Sequence, residues 1–299
     1  MELPAAAQQQ IRDFVDDFLA ELDRQGKSVH TARAYGSDLL RFVLWYERTE
    51  GPFHPGTVTP LDLREYRQHL LSRPDAAPAT VNRRLATLRR YFDWAQAVGL
   101  NRENIAARLR GVEAVELAPR WLEKRELHAL VRRVERGGST RDLAIVLTLR
   151  HTGLRVSELV GLRLGDLELG ARSGQLRVRQ GKGGKHRAVP LNAEARRAIR
   201  DYLAVRPAAL DDHLFLGQRG RALTASGAYA AIVEYARLAG LDGVTPHVLR
   251  HTFAKTALDA GANLVEVAAL LGHKRLDTTA RYTKPGRRDL ERTVERLAE

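Results

Sequence analysis

Five short segments in the second half of the chain hold residue types that could grip and move a charged group. Thr152-Gly153-Leu154-Arg155-Val156-Ser157-Glu158 puts an arginine beside a glycine turn at a helix start. Glu158, three residues on, shares its helix face and can orient that guanidinium, although such pairs are also common on ordinary surfaces. Gly181-Lys182-Gly183-Gly184-Lys185-His186-Arg187 would carry Lys182 and Lys185 on the tip of a flexible arm able to enter a groove. It lacks the G-x-x-x-x-G-K-[ST] spacing of a phosphate-binding P-loop. Pro246-His247-Val248-Leu249-Arg250-His251 places His247 and Arg250 at i and i+3 on one helical face. His247 and His251 also have an i, i+4 spacing that can bind zinc. Position 248 is valine where a metalloprotease has its glutamate, and no third ligand is evident, so no metal and no cofactor are expected. His273 closes a helix at Gly272, a place that favours a cation on dipole grounds alone. Tyr282 stands in the polar stretch Thr278-Thr279-Ala280-Arg281-Tyr282-Thr283, where an exposed structural tyrosine is the plain alternative.

These residues need elements to position them. Apolar periodicity predicts a helix from about Gln9 to Arg24, stopping near Gly26, and a second from Ser28 or Thr31 that ends before Gly51-Pro52. A third should begin after Thr59-Pro60, with the hydroxyl as cap and the proline in the first turn. A fourth spans about Ala79 to Val98, with Leu85, Leu88 and Phe92 on the core face and Arg83, Thr87 and Arg90 on another. Four such helices make a bundle over residues 1–110. Residues 111–120 break the pattern and read as a linker. From 121 to 299 the chain is again mostly helical, with periodicity resuming at Trp121 and a helix over Thr140–His151. Alternation in Gln175–Gln180 and Lys185–Leu191 around the glycine-rich turn predicts a β-hairpin. Further helices are expected near 225–239, 247–260 and 263–271.

The 299 residues suffice for two domains, and 44% hydrophobic content gives each a core. Net charge is +13, which suits a polyanionic partner. Residues 1–110 hold 16 Lys+Arg against 14 Asp+Glu, and the rest hold 33 against 22, so the second part carries nearly all the excess. The absence of cysteine excludes disulfides, thiolate metal sites and cysteine nucleophiles. No signal peptide is visible after Met1, and no apolar run approaches a membrane span; a soluble cytoplasmic protein is expected.

Taken in order, Arg155, Lys182, His247 with Arg250, His273 and Tyr282 resemble the tyrosine recombinases of the phage-integrase family, within it the Xer-like members. The surrounding text is similar too: TGLRVSELVGL, GKGGKHR, PHVLRHTFA and LLGHKRLDTTARYT. The resemblance covers about residues 121–282 and, more loosely, the bundle, where TARAYGSDLLRF and TVNRRLATLRRYF look like core-binding helices. It implies a mainly α fold with a small β-hairpin or sheet. An N-terminal core-binding, SAM-like bundle would precede a mixed catalytic domain ending in a docking tail.

The resemblance further implies that Tyr282 attacks the scissile phosphorus and forms a 3′-phosphotyrosyl enzyme. Arg155 and Arg250 would grip non-bridging oxygens, because guanidinium forks match phosphate. Lys182 would protonate the leaving 5′-oxygen, His247 would assist proton transfer, and His273 would donate a hydrogen bond to phosphate. Glu158 would stand behind them, while Arg83, Arg90 and Lys185 would bind DNA. The implied partner is double-stranded DNA with a specific site, held by a homo- or hetero-tetramer, with a DNA translocase as a possible activator. Leu290, Val294 and Leu297 form an apolar stripe that could dock on another subunit or pack in cis. Chromosome or plasmid dimer resolution, in the service of chromosome partition and cell division, is the favoured role. A mobile-element or phage-type integrase is next, with no arm domain before the bundle and no accessory arm sites expected. A topoisomerase I-like enzyme and a non-catalytic DNA-binding protein are the more distant alternatives.

Overall fold

The computed structural model describes residues 5–74, 76–113, 119–179, 186–209, 211–273, 276 and 279. The chain divides into two compact units, Met1–Glu116 and Leu117–Glu299. In the first, α1 (Ala5–Arg24), α2 (Val29–Thr49), α3 (Pro60–Leu71) and α4 (Pro78–Ala97) form the expected bundle. The first helix starts at Ala5 rather than near Gln9, because alanine and glutamine extend a helix without contributing an apolar stripe. Ser28 caps α2 by accepting from the Thr31 amide at 3.1 Å. Thr59 and Asp62 form a reciprocal capping box on α3, with Pro60 in its first turn.

The core of this unit is rich in rings. Phe18, Phe42, Tyr46, Phe53, Tyr66, Tyr91 and Phe92 are buried together with Leu39, Leu85 and Leu88. Phe18 meets Tyr91 edge-on at 5.4 Å and Phe42 meets Tyr66 at 5.0 Å, the offset geometries aromatic quadrupoles favour. One expectation needs correction. Thr87, placed with Arg83 and Arg90 on a face apart from the core residues, is itself fully buried, and its hydroxyl donates to Asp38 at 3.2 Å. Asp38 is only 3% exposed and also accepts from Arg83. Burying a carboxylate requires such partners, and α4 supplies them by turning Thr87 inward.

The second unit begins with α5 (Lys124–Arg136) and α6 (Thr140–Thr152). Trp121 and Leu122 precede α5 rather than opening it, because Glu123 takes the cap position, its amide donating to Glu126 at 2.9 Å. The helix α6 is buried on nearly every side through Ala144, Ile145, Val146, Leu147 and Leu149, and packs against α5 as well as α8 (Ala193–Val205) and α10 (Pro246–Asp259). Between α7 (Val156–Val160) and α8 lies an antiparallel sheet of β1 (Leu167–Leu169), β2 (Gly174–Arg179) and β3 (His186–Pro190), in that order. The hairpin of β2 and β3 pairs Leu176 with Val189 and Val178 with Arg187. The additional strand β1 has three residues, too few for alternation to reveal. The described part closes with α9 (Ala225–Leu238), α10 and α11 (Leu264–Leu271). Among the described residues no helix is long and apolar enough to cross a membrane.

Candidate active site

The helix α6 ends at Gly153, in the left-handed region at φ 62°. A Cβ there would stand 2.4 Å from the Phe253 ring and 2.7 Å from a Leu271 methyl, so only glycine permits both the turn and the packing. The turn sends the chain straight into α7 with Arg155 at its cap. The Arg155 amide donates to Glu158 Oε2 at 2.9 Å and its guanidinium to Oε1 at 3.0 Å. Glu158 thus orients Arg155, as the i, i+3 spacing suggests.

Arg250 enters the same region from α10, which Thr245 caps and Pro246 opens. It is 2% exposed, among the largest fully buried side chains. Its Nη1 donates to Gly153 O at 2.6 Å and its Nη2 to Leu271 O at 2.8 Å. Those carbonyls close α6 and α11, where helices leave acceptors unsatisfied and present the negative end of their dipoles. Two converging helix ends therefore solvate a cation that would otherwise be costly to bury. Glu158 Oε2 lies 4.0 Å from Nη1.

His273 follows Gly272, the left-handed residue that ends α11. Its Nε2 lies 2.8 Å from Arg250 Nη2, and its Nδ1 lies 2.7 Å from the hydroxyl of buried Thr279. Guanidinium can only donate, so Nε2 accepts and Nδ1 carries the proton that goes to Thr279. The helix-end dipole favours a charged histidine here, yet Arg250 has taken that place, and His273 faces it through a lone pair. His247 is exposed one turn before Arg250, its ring 4.1 Å from that of buried His251. Among the described residues, groups of three side chains able to share a metal are Asp211 with Asp212 and His213, and Glu50 with Asp62 and Glu65; neither includes His247 or His251.

The residue that sequence reading missed is Arg187, on β3. It is held in a fork on Glu158, with Nη1 to Oε1 at 3.0 Å and Nη2 to Oε2 at 2.8 Å. Burial pushes the Glu158 carboxyl up, but hydrogen bonds from Arg187 and the Arg155 amide, with the charges of both arginines, hold it below the usual range. The available signal was the alternation of β3, which puts Arg187 on the same inward face as buried Val189. Lys182, Lys185, Tyr282 and the tail stripe at Leu290, Val294 and Leu297 lie outside the described residues. In the first unit Arg83, 45% exposed at its side chain, is paired with Asp38. Arg90 donates to Gln25 and lies 3.8 Å from Asp93.

Arg155 and Arg250 face the Glu158 carboxylate and His273 meets Arg250, so two guanidiniums whose forks suit an anionic oxygen group stand together with an imidazole. Residues 120–288 match the phage integrase family, and residues 15–99 match the phage integrase N-terminal SAM-like domain. The chain is 34% identical over 282 residues to tyrosine recombinase XerC of Thermodesulfovibrio yellowstonii, covering 90% of this chain and 91% of the relative. It is 37% identical over 282 residues to tyrosine recombinase XerD of Proteus mirabilis, covering 91% and 87%. Its fold matches that of a XerH site-specific recombinase in a post-cleavage complex on a palindromic difH substrate, with TM-score 0.76 and 22% identity over 94% of this chain and 85% of that one. The chain belongs to the phage integrase family and is a tyrosine recombinase, an enzyme of site-specific DNA recombination.

Proposed function

We propose that this recombinase cleaves DNA with Tyr282 as nucleophile, forming a 3′-phosphotyrosyl bond and releasing a 5′-hydroxyl. The convergence of Arg155 and Arg250 on Glu158, with His273 against Arg250, carries this reading. Arg155 and Arg250 take the non-bridging oxygens and stabilise charge that grows in the transition state. Phosphate competes with His273 for Arg250 Nη2. His273 can donate to that phosphate only with a proton on Nε2, so the move that frees its ring must also protonate it or exchange its tautomer. His247, exposed on the same helix, assists proton transfer, and Lys182 protonates the leaving oxygen. The covalent bond conserves the phosphodiester energy, so rejoining by a 5′-hydroxyl needs no ATP.

Residues 1–110 form the core-binding domain, 111–120 the linker and 121–299 the catalytic domain with a docking tail. Arg83, Arg90 and Lys185 contact DNA. The protein works in the cytoplasm as a tetramer on two recombination sites, resolving chromosome or plasmid dimers during chromosome partition and cell division, and a DNA translocase activates it. The identity to XerC and XerD proteins supports this role. The deciding experiment mixes wild type and Tyr282→Phe with nicked, labelled fragments of the protein's own genome on a denaturing gel. Wild type should leave a heat-stable protein–DNA adduct and Tyr282→Phe none, with DNA affinity unchanged. An adduct of equal yield from Tyr282→Phe would remove Tyr282 from the reaction.

A further inference from the structure

Arg187 is 9% exposed at its side chain, and its position joins three chain segments. Its fork covers both oxygens of Glu158, and its Nε donates to Leu270 O in the last turn of α11 at 2.9 Å. The next carbonyl, that of Leu271, accepts from Arg250. The same two Glu158 oxygens take the Arg155 guanidinium and amide and face Arg250 at 4.0 Å. One carboxylate is therefore shared by three guanidiniums, and the cluster is formally cationic by two charges. A phosphodiester brings one negative charge, and its pentacoordinate transition state gathers a second.

We propose that Arg187 is a positioning residue for recombination, occupying Glu158 so that Arg155 and Arg250 remain available to phosphate. Without it the carboxylate is left half-satisfied at a largely buried site. Arg155, which already gives Glu158 one guanidinium bond, would turn a second donor onto it, and Arg250 would be drawn in from 4.0 Å, spending on the carboxylate the donors that the phosphate oxygens need. The anchorage to Leu270 holds the end of α11, and with it His273, at a fixed distance from that carboxylate. Arg187 touches no reacting atom; it acts through Glu158. This inference rests on the assignment of Arg155 and Arg250 to the phosphate.

The test measures single-turnover adduct formation on a nicked duplex bearing the protein's own site, once with a natural scissile phosphodiester and once with a neutral methylphosphonate there. Arg187→Gln should slow the phosphodiester reaction about tenfold or more, with DNA affinity within about threefold of wild type. On the methylphosphonate, which needs less charge neutralisation, the slowing should shrink to about threefold or less. The double variant Glu158→Gln with Arg187→Gln should be faster than Arg187→Gln alone, because the competing carboxylate is gone; this non-additivity is what a merely structural role would not give. Arg187→Lys, which keeps the charge but not the fork, should be intermediate and serves if Arg187→Gln does not fold. Equal slowing on both substrates, an unslowed Arg187→Gln or Arg187→Lys, or strictly additive losses would each overturn the proposal. Arg155→Ala and Arg250→Ala are run alongside: if both cleave at the wild-type rate, it is the phosphate assignment that fails, whatever Arg187 does.

Discussion

Asp38 in the first unit and Glu158 in the second are both shielded carboxylates that hold arginines, and they are used in opposite ways. Among the described residues, the partners of Asp38 come from one helix, α4, through Arg83, Arg84 and Thr87. They fasten α4 to α2 inside a core of interlocking rings. Glu158 draws partners from three separated places, the start of α7, β3 and α10, and these lie beside carbonyls left open at the ends of α6 and α11. A carboxylate between two helix faces locks packing. One at a junction of element ends aims side chains, because unsatisfied carbonyls and helix dipoles are already concentrated there. The cores differ in keeping with this. The second is almost entirely aliphatic among the described residues, with Tyr202 and Phe215 as its buried rings.

The sharpest way to break this contrast is Arg250→Ala. Cleavage in a single-turnover gel assay should fall by about 10²–10³ or more, with Tyr282 still present. A fall of less than tenfold would leave the helix-end cluster with no catalytic advantage over a structural one. Asp38→Ala should do the reverse. Denaturant unfolding should show a loss of about 1–3 kcal/mol as Thr87 and Arg83 lose their partner, while the cleavage rate at saturating protein stays at wild type. A slowed rate with unchanged stability would merge the two carboxylates into one role.

Arg83→Ala and Arg90→Ala give a smaller effect. Each should weaken DNA binding and lower the salt slope by about one, without changing cleavage once bound. If affinity and slope both hold, these arginines serve only their contacts with Asp38 and Gln25. The smallest expected effect is at His151, which lies on α6 within 2.7 Å of Glu194. Burial and then the charge of Arg150 lower its pKa, outweighing Glu194, so the folded state favours the neutral ring despite the apparent ion pair. A lowered folded pKa gives stability that is complete above the ordinary value of 6.5 and is lost as pH falls below it toward the folded value. His151→Gln should flatten that acid limb of the unfolding curve, and a limb of unchanged slope would assign it to other groups.

Much of the scaffold was readable from local rules. Thr59-Pro60, Ser28 and the glycines at 153 and 272 mark helix ends by chemistry that acts within a few residues, and alternation was enough to find β2 and β3. Arg155 with Glu158 was legible for the same reason, being neighbours on one turn. Thr87 was misplaced because periodicity says which residues share a face and not what covers it. A buried carboxylate on α2 makes that edge of α4 part of the interior.

The sequence by itself determined the helices, the hairpin and the order of polar residues that resembles a recombinase, since each depends on spacing along the chain. Only the tertiary structure decided that Arg250 is sealed between the ends of α6 and α11, that His273 meets it through a lone pair, and that Arg187 completes the Glu158 cluster. Those contacts join residues up to 97 positions apart, as in Arg250 to Gly153. Hydrogen-bond geometry across such separations is set by how helices and strands pack, and no local pattern of residues encodes it.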